Sequence, residues 1–497
     1  MIAWTIYVSF LGSALLMLWP SSSPRPARLI ALLTGLAGLA LALAGAVEFE
    51  HASATGKLWE IADISWIPQL GIHYHLAADG ISVTLVLLTG LAAVCGILFS
   101  WNIENRTKEF FALYLGLIGA IYGVFLSFDL FLLFVFYELA IIPKYFLIAR
   151  WGSTRREYGA MKLVLYSFIG SAMVLIGLIA AYVVAGGQTF DLPTLAQFPF
   201  PAAFQKWAFL LVFVGFAVLA GLWPFHTWAP TGHVAAPTAA SMLLAGVVMK
   251  LGAYGALRVG MTLFPIGLQT WRKEIALLAV IGIVYGASVA LVQRDFKFVI
   301  GYSSVSHMGF VLLGLMTLTQ VGLSGAILQM FSHGIIAGLL FAVVGRMVYD
   351  RAHSRDLTEL QGLNLNRTLP FAAATFAIAG AASMGLPGFS GFIAEMQVLV
   401  GAWQAFPLLT IFAGIGILIG VAYTWRALLK AFYRDDATTA PLPAPHLAPI
   451  TFAERTGACV LLGTSLLIGL YPKLLLDLIT PALNSPLMQP LWKGVTT

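Results

Sequence analysis

The sequence has few of the residues that carry redox or metal chemistry. Its two cysteines, Cys95 and Cys459, lie in different apolar segments, so we expect neither a disulfide framework nor a metal site. It also lacks a GxGxxG turn after a strand, a phosphate-binding loop, a CxxC pair and two histidines spaced to hold haem on one helix. We therefore expect this chain to bind no cofactor and no metal. If it works in a redox machine, other chains carry the redox groups.

Charged residues are scarce as well. Asp, Glu, Lys and Arg make up 10% of the 497 residues, against about 25% in soluble domains, while 60% of the residues are hydrophobic. The net charge of +6 is better explained by lysines and arginines in the cytoplasmic loops of a membrane protein than by binding to nucleic acid. We expect the lipid bilayer as a partner and no nucleic acid.

Long apolar runs fill most of the chain and predict an all-α, polytopic membrane protein of about 14 transmembrane helices. The polar segment 48–79 is expected to lie outside the membrane, and no segment is long enough to form a separate soluble domain, so residues 1–497 are predicted to be one integral-membrane domain. Each predicted span has roughly the 18 or more residues that a bilayer requires. The spans are residues 2–19, 28–47, 80–101, 110–127, 129–149, 160–185, 207–229, 238–259, 275–293, 298–318, 322–348, 369–400, 407–432 and 454–472.

Positive charges indicate the orientation. They are concentrated in the odd-numbered loops, and Arg272 and Lys273 are the main exception. Because cytoplasmic loops carry an excess of lysine and arginine, the odd loops are predicted to be cytoplasmic and both termini to lie on the other side. The residues that carry this prediction are Arg25, Arg28, Arg106, Lys108, Arg150, Arg155, Arg156, Arg294, Lys297, Arg351, Arg355, Arg367 and Arg434.

Two of the spans are interrupted. Proline removes a backbone donor and clashes with the preceding turn, so span seven should break near Pro224; span twelve has a similar break at 385–391, about 160 residues later. Broken helices in corresponding positions are typical of inverted repeats with an ion site between them. We therefore predict two inverted five-helix repeats with two discontinuous helices, at approximately residues 110–259 and 275–432, flanked by helices within 1–101 and 454–472.

Five ionisable residues lie within predicted spans: Glu138, Lys250, His307, His333 and Glu395. A charged group in the hydrocarbon region costs several kcal/mol unless it is paired or hydrated, so such residues usually mark an ion or proton pathway. A series of acid, imidazole and ammonium groups favours a proton relay. The alternatives are structural: His333 as a bridge between two helices, and Glu138 and Lys250 as members of fixed ion pairs. His226 and His233, beside the first break, could instead be capping groups.

Several segments carry a specific family resemblance. They resemble the proton-translocating, antiporter-like subunits of respiratory complex I, the NADH-quinone oxidoreductase, and the glutamate in the last of them points to the M-type (chain 4) branch. The resemblance covers nearly the whole chain. Its segments are ADGISVTLVLLTG, YELAIIPKYFLIARWG, LWPFHTWAPTGHVAAPT, QRDFKFVIGYSSVSH, YSSVSHMGFV and GLPGFSGFIAEM.

The resemblance implies roles and surroundings. Glu138 would be the glutamate of span five, Lys250 the central lysine of span eight and Glu395 the terminal glutamate of span twelve, while His307 and His333 would line a hydrated central axis. The chain would be a non-redox translocase subunit in a bacterial inner membrane, with periplasmic termini. Its neighbours would be L-type and N-type antiporter-like subunits, and FMN, iron–sulfur clusters and quinone would be bound by other subunits of the complex.

The first half departs from the family pattern. Leu219 stands where the family has the lysine that pairs with the span-five glutamate, and Ile118 stands where span four usually has a glutamate. Lys144 is an extra lysine in span five and a candidate substitute for the missing one. It lies six positions from Glu138, about 600° around a regular helix, so the two are predicted not to share a face. Gly221, Thr231 and Ala235 are further departures.

Two other functions remain open. The chain could be a subunit of a multi-subunit cation/proton antiporter of the Mrp type, which shares the fold but has no redox partner. It could also be a structural spacer in complex I that no longer pumps, a reading that the loss of the span-seven lysine at Leu219 favours. Neighbouring genes would distinguish the first alternative, and the proton-to-electron ratio would test the second.

Overall fold

The computed structural model describes residues 1–20, 23–52, 58–433 and 447–492; for residues 51 and 52 it describes the backbone alone. Twelve of the described helices are long and apolar enough to cross a membrane. The elements up to the middle of the chain are α1 (Trp4–Leu18), α2 (Pro24–Ala52), β1 (Trp59–Ile67), β2 (Ile72–Ala78), α3 (Gly80–Phe99), α4 (Thr107–Leu126), α5 (Leu130–Leu139), α6 (Ile141–Trp151), α7 (Arg156–Val184), α8 (Leu192–Ala196), α9 (Ala202–Ala220), α10 (Trp228–Ala235), α11 (Thr238–Leu243) and α12 (Met249–Gly255).

The second half is equally helical. Its elements are α13 (Pro265–Val292), α14 (Phe296–Thr317), α15 (Gln320–Ala342), α16 (Asp350–Ala352), α17 (Leu357–Gln361), α18 (Leu365–Thr368), α19 (Pro370–Ser383), α20 (Ser390–Ala405), α21 (Pro407–Leu428), α22 (Phe452–Leu470), α23 (Lys473–Leu483) and α24 (Gln489–Trp492). The all-α membrane architecture is therefore confirmed. Predicted spans one and twelve are represented by α1 and by the pair α19 and α20, each shorter than the roughly 20 residues that a straight span needs.

Both predicted helix breaks are present. The helix of span seven ends at Ala220, and Gly221 follows with φ +85° before the chain resumes as α10 at Trp228. In span twelve, α19 ends at Ser383 and Gly385 has φ +76°. Glycine suits both positions because it has no Cβ to clash in the left-handed conformation that ends a helix.

Span five contains a third break that the sequence analysis missed. Helix α5 ends at Leu139 and α6 begins at Ile141, because Pro143 has no N–H to bond to the Leu139 carbonyl four residues earlier. The 600° rotation between Glu138 and Lys144 assumed a continuous helix. That geometric premise was wrong, since the two residues lie on different helical segments.

Span eight deviates from a regular α-helix at two places. π-helical turns occupy Leu244–Val248 and Ala256–Met261, on either side of α12. The second contains Arg258, which is fully buried and donates a hydrogen bond of 2.6 Å to Asp79, the residue that caps the start of α3. Further π-helical turns end span eleven (Val343–Tyr349) and span thirteen (Leu429–Tyr433). π-helical turns are frequent at functional sites because they widen the helix locally.

A β-hairpin was also missed. Strands β1 and β2 pair antiparallel from Trp59 opposite Ala78 to Ile67 opposite Ile72, and Gly71, with φ +61°, closes the turn. We call the side of the membrane that carries these strands the hairpin side, and the opposite side the distal side. Helix α2 ends and α3 begins on the hairpin side, and the terminal amine of Met1 lies 3.1 Å from Glu48 there.

Two similar backbone ties hold the halves of the bundle. In each half, the start of one helix exchanges two backbone hydrogen bonds with the start of a short helix that follows the next long span. Corresponding residues of the two ties are 165 or 166 positions apart in the sequence. Asp129 and Asp295 cap the two long helices in the same manner, each accepting from two backbone N–H groups. The bonds are Leu130 N–Phe190 O (2.9 Å) and Leu192 N–Phe128 O (2.8 Å), then Phe296 N–Arg355 O (2.8 Å) and Leu357 N–Arg294 O (2.9 Å).

His75 fastens the hairpin to the loop before α8. Its side chain is 7% exposed, with Nδ1 2.8 Å from Asp191 and Nε2 2.5 Å from Glu60. Burial alone would lower the pKa of His75, but the hydrogen bonds to Asp191 and Glu60 outweigh it and raise the pKa from 6.5 to about 9. The imidazolium therefore stabilises the hairpin near neutral pH.

We predict that the hairpin loosens at alkaline pH. Because the folded-state pKa of His75 is raised, its contribution is complete below pH 6.5 and is lost as the pH rises through about 9. Amide hydrogen exchange should show strong protection of β1 and β2 below pH 6.5 and weaker protection above pH 9. His75→Gln should remove this dependence, whereas His73→Gln, in a more exposed pair with Asp63, should keep it. An unchanged pH profile in His75→Gln would contradict the assignment.

Candidate functional site

Four of the predicted ionisable residues form one chain that runs from span eight, in the first half, into the second half of the bundle. Lys250 Nζ lies 2.8 Å from His333 Nδ1, and His307 Nδ1 lies 2.9 Å from the Oε1 atom of Glu395. The two imidazole rings stack between these pairs, with centroids 5.4 Å apart and planes 28° apart. Helices α12, α15, α14 and α20 each supply one residue. The four groups thus connect the centre of span eight to the broken span twelve.

The buried ammonium of Lys250 is held by its own helix as well as by His333. Its side chain is fully buried and also donates to the carbonyl oxygen of Ala245. Ala245 belongs to the π-helical turn that precedes α12, and Lys250 follows it by five residues. The ammonium is therefore solvated by a backbone carbonyl and a ring nitrogen, and none of the described carboxylates lies at hydrogen-bond distance.

The glutamate end of the chain has two polar partners that the sequence analysis did not identify. Gln329 Nε2 donates to Glu395 Oε1 over 3.0 Å, and Ser383 Oγ lies 3.2 Å from His307 Nε2. Glu395 is 5% exposed, and its Oε2 atom lies 3.3 Å from the point where a Cβ on Gly385 would be. The left-handed glycine at the break thus leaves room for the carboxylate. A buried amide or hydroxyl in an apolar sequence gives only a weak signal of such a role.

A small cavity of about 10 Å³ lies along this chain, lined by residues that include His307, His333 and Glu395. That volume is close to the minimum for one water molecule, and polar groups surround it. The Nε2 atom of His333 has no hydrogen-bond partner within the chain. A water in the cavity would carry a proton between the stacked rings, which have no direct hydrogen bond to each other in the structure.

A second cavity lies on the distal side. It has a volume of about 190 Å³ and is lined in part by Ser153, Asp350 and the buried Lys297. The Lys297 ammonium donates to the carbonyl of Ala236 over 3.0 Å. His233 is fully buried and interacts electrostatically with both Lys297 and Lys250.

The histidines at the first break differ in their contacts. Both ring nitrogens of His233 are buried and have no hydrogen-bond partner among the described residues, so His233 does not cap a helix. His226 lies beside the backbone of Pro224 at the break, and capping stays a prediction for this residue. His226 packs edge-on against Tyr285, and His233 lies against Phe341.

The first half of the bundle contains a looser pair. Lys144 is 2% exposed and interacts electrostatically with Glu138, but the two do not form an ion pair within 4 Å. Glu138 lies beside Ser171 of α7, and its Oε1 atom is buried without a hydrogen-bond partner. Leu219 and Ile118 are each 2% exposed, so apolar side chains fill the places where the family pattern has charges.

No three His, Cys, Asp or Glu side chains within the described ranges are grouped as a metal ion would require. The fold and the site together define a polytopic membrane protein with a buried acid–imidazole–ammonium chain that joins the π-helical turn of span eight to the broken span twelve.

Comparisons with known proteins agree with this class. A model of the family described as "NADH:quinone oxidoreductase/Mrp antiporter, TM" matches residues 127–420. The chain is 39% identical to NADH-quinone oxidoreductase subunit M of Rhodobacter capsulatus, over 85% of this chain and 83% of that one. It is 36% identical to NAD(P)H-quinone oxidoreductase chain 4 3 of Picosynechococcus, over 96% and 93%. The chain belongs to the NADH:quinone oxidoreductase/Mrp antiporter family of membrane subunits.

Solved structures share the fold over almost the full length. A chain of respiratory complex I from Thermus thermophilus superimposes with a TM-score of 0.89 at 27% identity, covering 99% of this chain and 100% of that chain. A chain of the Mrp complex from Dietzia has a TM-score of 0.85 at 21% identity, covering 98% and 97%. At that lower identity the likeness establishes the fold alone.

We predict that Gly385→Ala destabilises the protein and disturbs Glu395. A residue with a Cβ in the left-handed conformation costs about 1–2 kcal/mol. Equilibrium unfolding in mixed micelles should show that loss, and the infrared band of the Glu395 carboxyl should shift. Gly414→Ala, in open space in the middle of α21, is the matched control and should leave both unchanged or raise stability slightly. Equal stability of the two variants would contradict the role assigned to Gly385.

Proposed function

We propose that this chain is the M-type membrane-arm subunit of a proton-translocating NADH:quinone oxidoreductase. The observation that carries the proposal is the chain Lys250–His333–His307–Glu395, which joins two broken or widened helices by hydrogen bonds and one ring stack. The relatives named subunit M and chain 4 support this assignment over the Mrp-type alternative. The translocase activity belongs to the complex, in which remote quinone reduction would drive this subunit.

Protons enter from the distal side in this mechanism. The cavity at Lys297 brings water to the buried end of α14, and His233 connects Lys297 to Lys250. Lys250 exchanges its proton with His333 Nδ1, which already lies at hydrogen-bond distance. The unpartnered Nε2 of His333 then passes a proton through the water-sized cavity to His307. His307 Nδ1 delivers it to Glu395.

Electrostatic repulsion makes the transfer sequential. Two positive charges about 4 Å apart repel by about 4 kcal/mol at an effective dielectric constant of 20. An ammonium on Lys250 therefore disfavours an imidazolium on His333, and a proton advances only when the site behind it becomes neutral. Gln329 holds the carboxylate of Glu395 in reach of His307 by donating to the same oxygen. A change of charge at either end of the chain would thus be transmitted along it.

The proposed surroundings follow from charge and family. We assign the hairpin side to the periplasm and the distal side to the cytoplasm of a bacterial inner membrane. The arginine- and lysine-rich odd loops support this orientation. L-type and N-type antiporter-like subunits are the proposed neighbours. FMN, iron–sulfur clusters and quinone would be bound by other subunits.

We further propose that residues 110–259 and 275–432 are inverted repeats within one domain spanning residues 1–497. The two backbone ties, 165 or 166 positions apart, support the proposal because each joins the start of a long helix to the short helix after the next span. The broken helices at Gly221 and Gly385, 164 positions apart, support it in the same way.

The first half is proposed to use Lys144 in place of the missing span-seven lysine. The break at Pro143 redirects α6, and the Lys144 ammonium remains buried and electrostatically coupled to Glu138. One water would be enough to bridge such a pair, as water-mediated bonds are nearly as favourable as direct ones. The spacer alternative for this half draws its support from the buried Leu219 and Ile118.

The proposed function predicts that Glu395→Gln blocks pumping. The amide keeps the size of the carboxyl but cannot take a proton from His307, so proton transfer along the chain should slow by about 100-fold. Proteoliposomes containing the complex should show lost proton uptake and slowed coupled quinone reduction, with the complex still assembled. Lys250→Met should behave likewise. Glu109→Gln, at an exposed glutamate on α4, is the control. Normal pumping by Glu395→Gln would refute the relay.

A second prediction concerns the first half. If Lys144 keeps Glu138 ionised, Lys144→Met should lower the number of protons pumped per electron pair while quinone reduction continues. The matched control is Lys206→Met, at an exposed lysine on α9, which should leave the ratio unchanged. The measurement is the proton-to-electron ratio of the complex in proteoliposomes. An unchanged ratio in Lys144→Met would favour the spacer interpretation for this half.

A further inference from the structure

A large apolar cavity opens on the hairpin side, away from the proton-carrying chain. It has a volume of about 600 Å³ and lies among α2, α3, α15, α22 and α23. Single faces of these helices line it: Leu39, Leu43 and Val47 follow one face of α2, and Leu87 and Leu91 follow one face of α3. Only 28% of the most apolar 18-residue stretch of α2 is buried within this chain, so most of that helix faces outward. The cavity is therefore a groove in the outer surface of the bundle.

The depth of the groove corresponds to one leaflet of a bilayer. Along α2, from Glu50 at the rim to Leu39 at the inner end, eleven residues span about 16 Å at 1.5 Å each. The hydrocarbon core of a bilayer is about 30 Å thick, so this distance is roughly half of it. A groove of that depth, apolar along its length and open at the membrane surface, has the dimensions of an acyl chain with its headgroup at the rim.

The rim carries charges that a zwitterionic headgroup would complement. Two carboxylates, Glu50 and Asp477, lie at the mouth, together with Tyr471. Lys473 lies 3.9 Å from Asp477, and both side chains are more than 60% exposed. An ammonium would pair with the carboxylates, while a phosphate would pair with Lys473. Among the described residues of the rim, an anionic headgroup without an amine would meet two carboxylates and one lysine.

The inner end of the groove lies next to a group of hydrogen-bonded serines at the break of span twelve. Phe331 and Thr464 line it, and the following residues, Ser332 and Ser465, both bond to Ser390 at the break of span twelve, over 2.7 and 3.0 Å. His333 is two residues beyond Phe331. A chain filling the groove would add a fixed apolar layer outside this polar region and exclude water that could bypass the relay.

We propose that this groove is a binding site for one phospholipid with an amine-bearing headgroup, phosphatidylethanolamine in chemistry, taken from the leaflet on the hairpin side. The acyl chain lies between α2 and α3, and the ammonium is held by Glu50 and Asp477. The site is independent of whether the chain pumps protons, since it depends only on the groove and its rim.

Photolabelling of the intact complex tests the site. The complex is placed in nanodiscs with phosphatidylethanolamine, or in a parallel sample phosphatidylglycerol, that carries a photoreactive group on the acyl chain, and adducts are mapped on this chain. The ethanolamine lipid should label the residues that line the groove. Leu91→Trp places an indole in the groove and displaces about two methylene groups of the lipid, so labelling should fall about tenfold. Leu467→Trp, at an exposed leucine on α22 outside the groove, should label as the parent does.

The rim is tested without changing the packing. The double variant Glu50→Gln, Asp477→Asn should remove the preference for the ethanolamine lipid over the glycerol lipid while the groove still labels. Equal labelling by the two lipids in the parent would overturn the headgroup assignment. Unchanged labelling in Leu91→Trp, or adducts only outside the groove, would overturn the site. Crosslinking of α2 and α23 to an adjoining subunit in place of lipid would show that protein covers the groove, and would also overturn it.

Discussion

The cost of keeping a charge inside a bilayer is the constraint on which the rest of this structure depends. An ammonium such as that of Lys250 survives there only if protein groups or water replace its hydration shell. The chain meets this requirement with a backbone carbonyl from the π-helical turn before Lys250 and a ring nitrogen from His333. The polar groups that serve as solvent for the lysine are the same groups that can exchange protons with it. In the proposed function, the same arrangement of atoms therefore solvates the lysine and conducts protons.

Irregular backbone makes that arrangement possible. A regular helix uses every carbonyl internally and leaves none to bind an ion. Here the π-helical turns and the breaks at Gly221, Pro143 and Gly385 release backbone groups or open space beside Lys250, Lys144 and Glu395. The π-helical turns of span eight are covered by the bundle, whereas Leu139, Phe225 and Leu386, beside the three breaks, are exposed on the surface of this chain. The fold can thus be described as a packed helical bundle whose helices are broken or widened near its buried charged residues.

The two halves meet the constraint differently. The chain from Lys250 to Glu395, which joins span eight to the second half, connects its ionisable groups by contacts of 3 Å or less, apart from one ring stack. In the first half, the apolar Ile118 and Leu219 are buried at positions where the resemblance leads us to expect charges, and Glu138 and Lys144 form no ion pair within 4 Å. Fewer charges lower the cost of burial, but they also leave fewer groups for a proton to occupy. This asymmetry explains why the two halves carry separate functional proposals.

The sequence by itself determined the class of the molecule, because membrane spans are encoded locally: apolar length, proline and glycine breaks and isolated charges are each visible in a short window. The breaks near Pro224 and Gly385 and the residues Lys250, His307, His333 and Glu395 were found this way. Only the tertiary structure decided which side chains meet. Gln329 and Ser383 join the site through contacts between residues 66 and 76 positions apart, for which no local pattern exists. The hairpin, the π-helical turns and the pairing of Arg258 with Asp79 were likewise settled by packing, since each depends on distant partners. The break after Leu139 differs, because Pro143 is visible in the sequence. The long apolar run around this proline was nevertheless interpreted as a single helix.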